Sequence, residues 1–275
     1  MNRLEADLLY TDTHAHLSLC EQRIGRQKLF SLLDEYDQLW QGSADTPKPF
    51  IVDVGTVAGD LASRLGVFGR YAWLKFSAGI WPSQTALEHP DESLFRLKDD
   101  CGSGRVAAVG ECGLDYFHMA GSRNAQIRLF EQQIELAGER SLPLIVHSRD
   151  AFEDTLSVLK TSAASLSVII HCFSYSPAEA EQLLRQGFYL SFAGNLSYRN
   201  ASGLREALRI VPDSQLLLET DAPYLNPEPF RGKHASSADI VRTYEIAASL
   251  RNSTSEKLAG IVQQNAETIF GTMLF

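Results

Sequence analysis

Short apolar runs rich in β-branched residues alternate along this chain with longer stretches whose apolar positions recur every three or four residues. Eight such runs stand out: Leu8 to Tyr10 with its continuation to His14, FIVDVG (Phe50 to Gly55), LKFSAGI (Leu74 to Ile80) and VAAVGE (Val106 to Glu111), then LIVHS (Leu144 to Ser148), SVIIHCF (Ser167 to Phe173), FYLSFAG (Phe188 to Gly194) and LLLETD (Leu216 to Asp221). Near-continuous apolarity over so few residues suits strands covered on both faces, as in a parallel sheet. The segments between them read as helices. Ile127, Phe130, Ile134 and Ala137 share one helical face ahead of the fifth run. In SPAEAEQLLRQG, Ser176 is placed to cap a helix, Pro177 to open it, Glu179 to complete a capping box and Gly187 to stop it. Val241, Tyr244 and Ala248 mark a helix after the eighth run, and Leu258, Ile261, Val262 and Ile269 another near the C-terminus. The stretch 40–49 (WQGSADTPKP) reads as a loop before the second strand.

Eight strand–helix units of about 30 residues each predict one (β/α)8 barrel of the TIM type spanning residues 1–275. A doubly wound open sheet is the alternative architecture; the absence of a G-x-G-x-x-G after any strand counts against it. The composition, 44% apolar and 21% charged, is that of a globular chain long enough to bury a large core. No apolar stretch suits a signal peptide or a membrane span, and four cysteines without a C-x-x-C pair read as free thiols. A cytoplasmic monomer is the expectation. A net charge of -9 argues against passive adhesion to nucleic acid, so a phosphodiester substrate would need positive charge supplied locally.

Metal-competent side chains stand at the C-terminal ends of five of the eight runs: His14 and His16, Glu111, His147, His171 and Asp221. Taken singly, each His reads more readily as a polar residue satisfied at a strand end than as a ligand. Taken together they read as a metal centre, because the chain has only seven histidines and four fall at these positions. A barrel gathers the C-terminal strand ends on one face. Four imidazoles and two carboxylates exceed the usual three protein ligands of a catalytic zinc and suit two divalent cations. On this reading His14, His16 and Asp221 hold one ion, His147 and His171 hold the other, and Glu111 bridges them. Mg, Mn and Zn are all compatible with such donors. Asp12 and Glu219 share strand faces with the ligands and could orient an imidazole or a bound water, although a buried interior ion pair accounts for Glu219 equally well. Cys112 and Cys172 follow ligands directly, so strand parity turns them away as small buried residues.

DTHAHL, GECGLDY, LPLIVHSRDA, IIHCFS, YLSFAGN and LLLETDAPYLNPEPFRGK stand in the order and approximate spacing of the TatD-type metal-dependent deoxyribonucleases, and QQNAETIF is similar to that family's closing helix. The resemblance runs from about residue 10 to the C-terminus. It implies a TIM barrel, a divalent-metal centre in which the same six residues are ligands, and hydrolysis of phosphodiester bonds in DNA, often exonucleolytic. Three loops depart from the family pattern. Trp81 in GIWP stands where a His is common, Tyr175 where a Gly usually follows HCFS, and HASSAD follows RGK in place of Arg-Asn-x-Pro. Trp81 and Tyr175 could stack a base or simply pack their loops.

The chemistry expected is hydrolysis of a phosphoester with Asp221 as general base and Glu111 bridging, in the manner of a 3'-5' exonuclease on DNA. Arg149, Arg231 and Lys233 are candidate phosphate contacts, or merely solvated cations. The alternative is an amidohydrolase or phosphotriesterase-like enzyme acting on a small molecule. Such barrels often carry a carboxylated Lys at the fourth strand, where this chain has Glu111. A non-catalytic barrel is disfavoured by the intact ligand set.

Overall fold

A computed structural model describes residues 9–43 and 48–271. Eight parallel strands pair in sequence order, each with the next. They are β1 (Asp12–Ala15), β2 (Ile51–Asp53), β3 (Leu74–Ala78), β4 (Val106–Asp115), β5 (Leu144–Arg149), β6 (Val168–Ile170), β7 (Tyr189–Phe192) and β8 (Leu216–Leu218). The ring is nearly closed between β8 and β1. An isolated parallel bridge joins Ala15 to Ala222, the Asp221 N–H donates to the His14 carbonyl at 2.9 Å, and the His16 N–H donates to the Ala222 carbonyl at 2.8 Å. The predicted barrel is therefore present, and the open sheet is not. Strands such as Ile51–Asp53, Val168–Ile170 and Leu216–Leu218 are buried at every position, which is why they read as unbroken apolar runs.

Helices cover the outside. The helix Arg123–Arg140 buries Phe130, Ile134 and Ala137 against the barrel, with the Ser122 hydroxyl accepting from the Ala125 N–H at its start. Pro177–Leu184 carries the predicted capping box between Ser176 and Glu179, and Gly187 follows at φ +82°, the left-handed turn that favours glycine. Ile240–Leu250 and Ser255–Phe270 fill the two remaining predicted helices. All four cysteines are unpaired.

Boundaries moved in three places. Trp40 to Gly42, read as loop, close the helix Arg26–Gly42, because Trp40 is an apolar anchor whose indole N–H donates to the Pro49 carbonyl; positions 44–47 of that loop, like Leu8, lie outside the described residues. β4 runs four residues past Glu111, pairing Gly113 with His147 and Asp115 with Arg149. Gly113 permits this: a Cβ there would sit 2.0 Å from the His147 carbonyl oxygen. In contrast β6 and β8 stop short, so His171 and Asp221 lie just beyond strand ends. Cys172 consequently escapes the strand alternation assumed for it; at φ +46° it is half-buried beside the site, whereas Cys112 is fully buried as expected.

Candidate metal centre

Barrel closure brings the six strand-end residues to one mouth. Glu111 stands in the middle, turning one carboxylate oxygen to each side. Its Oε2 lies 3.4 Å from His14 Nε2 and 3.5 Å from His16 Nε2, while its Oε1 lies 2.9 Å from His147 Nδ1 and 3.1 Å from His171 Nε2. Asp221 Oδ1 completes the first side, 3.5 Å from His16 Nε2 and 3.8 Å from His14 Nε2. Three overlapping trios have donor atoms within 4.8 Å of one another: His14, His16 and Asp221; Glu111, His147 and His171; and His14, His171 and Glu219.

The donor chemistry fits a cation. The outer nitrogen of His16, Nδ1, lies 3.0 Å from the Val54 carbonyl, which can only accept, so that nitrogen holds the proton and Nε2 carries a lone pair. That lone pair meets His14 Nε2 at 3.2 Å. On the other side, His147 Nε2 lies 3.0 Å from Asp115 Oδ2, an acceptor when ionised, so the lone pair is on Nδ1 and meets His171 Nε2 at 3.2 Å. In their neutral forms His16 Nε2 and His147 Nδ1 thus present lone pairs to a second imidazole and to carboxylates, positions that a bound cation satisfies and that protons occupy without one.

The electrostatics agree. Burial would raise the Glu111 carboxyl, but the charge of His171 and hydrogen bonds from His14, His147 and His171 outweigh it and hold the group well below its usual range. Asp221 is also lowered: burial opposes this, and the His16 hydrogen bond with the charges of His14, His171 and His16 prevails. Burial pushes His14 down, whereas His16, despite its burial, is drawn up to about 9 by Asp221 and Glu111. Carboxylates held ionised among basic imidazoles make a site ready to exchange protons for metal.

Behind the ligands, Glu219 accepts from the Cys172 N–H at 2.6 Å and its Oε1 stands 3.5 Å from His171 Nδ1, an orienting position. Asp12 directs its hydrogen bonds to backbone and to Thr220, including the His14 N–H at 3.3 Å, rather than to an imidazole ring. Its Oδ1 accepts from the Thr220 N–H at 2.9 Å and its Oδ2 from the Thr220 hydroxyl at 2.7 Å, so it fixes the backbone that presents Asp221. Trp81 stands edge-on to His147, ring centroids 6.0 Å apart, at the mouth itself. Tyr175 packs between Phe152 and Phe173, and its hydroxyl meets Ser148 Oγ at 2.7 Å and the Ala151 N–H at 3.2 Å, which is loop packing. Arg149, Arg231 and Lys233 are exposed, lying over Phe117 (4.2 Å), Tyr198 (4.3 Å) and Phe230 (5.3 Å) respectively.

Sequence reasoning passed over Asp115, a fully buried carboxylate behind His147. It also set His118 aside, yet His118 Nδ1 lies 2.8 Å from Asp115 Oδ2. The signal was present: Asp115 stands four residues after Glu111, on the same strand face, inside GECGLDY. Tyr224, half-exposed and edge-on to His16 at 6.4 Å, was likewise unmarked.

Comparison with known proteins is consistent with this centre. A family model described as TatD related DNase matches residues 11–271. An uncharacterized metal-dependent hydrolase, YabD of Bacillus subtilis, is 32% identical over 260 residues, covering 94% of this chain and 98% of its own. The 3'-5' ssDNA/RNA exonuclease TatD of Erwinia amylovora is 34% identical over 208 residues, covering 74% of this chain and 79% of its own. Among solved structures, YjjV, a TatD homolog from Escherichia coli, superposes with a TM-score of 0.77 at 28% identity, covering 95% of this chain and 97% of its own. The chain belongs to the TatD-related DNase family of metal-dependent hydrolases.

Proposed function

We propose that this chain is a divalent-metal-dependent phosphodiesterase acting on DNA ends in the manner of a 3'-5' exonuclease. The observation that carries the reading is the two-sided Glu111, with one oxygen toward His14 and His16 and the other toward His147 and His171. In this assignment His14, His16 and Asp221 would hold one ion, His147 and His171 the second, and Glu111 would bridge. A pair of Mg, Mn or Zn ions, when bound, supplies Lewis acidity to the phosphoryl oxygens and makes a water nucleophilic near neutral pH. Asp221, kept ionised and slightly open to the mouth, positions that water and takes its proton. Asp115 holds the ring of His147 by a hydrogen bond at 3.0 Å, and Glu219 stands 3.5 Å behind His171 Nδ1 with charge that favours the same orientation.

Nucleic acid as substrate is supported by the name of the Erwinia relative and by cations on the loops of the same face, Arg149, Arg231 and Lys233, each backed by an aromatic ring. Trp81 is placed to meet a base at the mouth, whereas Tyr175 is engaged with its own loop. One domain over 1–275 acting as a monomer completes the proposal; among the described residues no helix is long and apolar enough to cross a membrane.

The test is a matrix of Mg, Mn and Zn against single-stranded DNA, RNA, a phosphotriester and a lactone, with metal content measured in parallel. Close to two ions per chain and nucleotide release from DNA are expected, and Glu111→Gln should lower that release about 10²–10³-fold while the protein stays folded. Turnover of the lactone or triester alone would move the enzyme to the small-molecule class. Full activity in Glu111→Gln would dismiss the bridge.

A further inference from the structure

Asp115 serves two histidines with one oxygen. Oδ2 lies 3.0 Å from His147 Nε2 and 2.8 Å from His118 Nδ1, and Oδ1 accepts from the His118 backbone N–H at 2.7 Å. An ionised carboxylate only accepts, so His118 keeps its proton on Nδ1. Its ring is thereby fixed on the β4–Arg123 loop with Nε2 away from Asp115, and the side chain is 53% exposed. Trp81 and Phe117 bracket the ring, with centroids 5.9 Å and 5.0 Å away. The imidazole is exposed, tethered and one carboxylate removed from a residue of the metal centre.

Its side of the mouth matters. In a ring of eight strands in sequence order, β4 stands across from β8. Asp221, which positions the attacking water, follows β8; Asp115 ends β4. In-line displacement at phosphorus sends the leaving oxygen away from the attacking one. A water delivered from the β8 side therefore expels the leaving oxygen toward the β4 side. Trp81, on the neighbouring β3 loop, has no basic nitrogen to receive or protonate it there.

Resting on the phosphodiesterase reading above, we infer that His118 is the proton donor to the leaving oxygen, held in place by Asp115. The water oxygen bonds to phosphorus and its proton passes to Asp221. The phosphorus bond to the leaving nucleoside oxygen breaks, the electron pair stays on that oxygen, and the oxygen takes the Nε2 proton of the His118 imidazolium, which is left as the neutral ring with its proton on Nδ1 toward Asp115. Afterwards His118 regains a proton from solvent and Asp221 releases its own, so the net reaction is hydrolysis.

The experiment compares single-turnover rates of wild type and His118→Gln, both loaded with Mn, on two substrates. One is a single-stranded oligonucleotide, whose leaving group is an alkoxide; the other is the p-nitrophenyl ester of thymidine monophosphate, whose leaving phenolate departs without a proton. His118→Gln should slow the oligonucleotide about 10²-fold or more and the aryl ester less than about threefold. The near-normal aryl rate also reports that fold and metal centre survive. Equal losses on both substrates, a loss on the aryl ester alone, or no loss on either, would overturn the assignment. Wild type inactive on both diesters would instead strike at the phosphodiesterase reading itself.

Discussion

The two sides of the metal centre are held by different means. His14, His16 and Asp221 sit on the seam of the barrel and are held through main-chain groups: the Val54 carbonyl behind His16, the Asp221 N–H on the His14 carbonyl, and the His14 and Thr220 N–H groups that donate to Asp12 Oδ1. Next to them the start of the first helix is fixed by Asp53, which accepts from the Leu17 N–H at 2.9 Å and pairs with the buried Arg64 at 3.1 Å. On the far side, His147 and His171 are backed by carboxylates, Asp115 and Glu219. A carboxylate behind a ligating imidazole raises its basicity and fixes its tautomer, whereas a carbonyl chiefly orients it. Damage to the seam side should therefore appear as lost fold, and damage to the far side as lost metal.

Replacing Arg64 gives the largest expected effect. Arg64→Met strands the buried Asp53 carboxylate and two carbonyl acceptors, and should cost about 3–5 kcal/mol in denaturant unfolding. The surviving folded protein should keep its affinity for the far-side ion. An unchanged unfolding midpoint would break the contrast. Asp115→Asn comes next: chelator competition should show one ion bound about 10–100-fold more weakly, with the other ion and the midpoint unmoved. Equal weakening of both ions would show that the sides do not act separately. Tyr175→Phe is the smallest. It keeps the contacts with Phe152 and Phe173 and loses hydroxyl bonds to Ser148 and Ala151, so stability should fall by about 0.5–1.5 kcal/mol per bond with KM for an oligonucleotide unchanged. A several-fold rise in KM would return Tyr175 to the substrate cleft.

The barrel was legible because strands buried on both faces leave unbroken apolar runs, and LLL or VII leaves little else to read. The six converging residues were legible because a parallel barrel puts every C-terminal strand end on one face. What escaped were features set by contact rather than period. The fourth apolar run ends at Glu111, yet Gly113 lets the His147 carbonyl approach and the strand continues to Asp115. Parity was extended to Cys172, where the chain had already turned into left-handed backbone. Strand parity puts Asp12 on the face of the ligands, but whether it grips a ring or a peptide depends on Thr220, over two hundred residues away. His118 carries no periodic signal at all.

The seam has one more consequence. The amides of His16 and Asp221 close the ring, and the side chains of the same two residues face the same cation position. If His16 and Asp221 share an ion as proposed, breathing of the β1–β8 junction and dissociation of that ion would be a single mechanical event. An ion held in that position would work as a rivet, and amide exchange at these two positions should slow when metal is added.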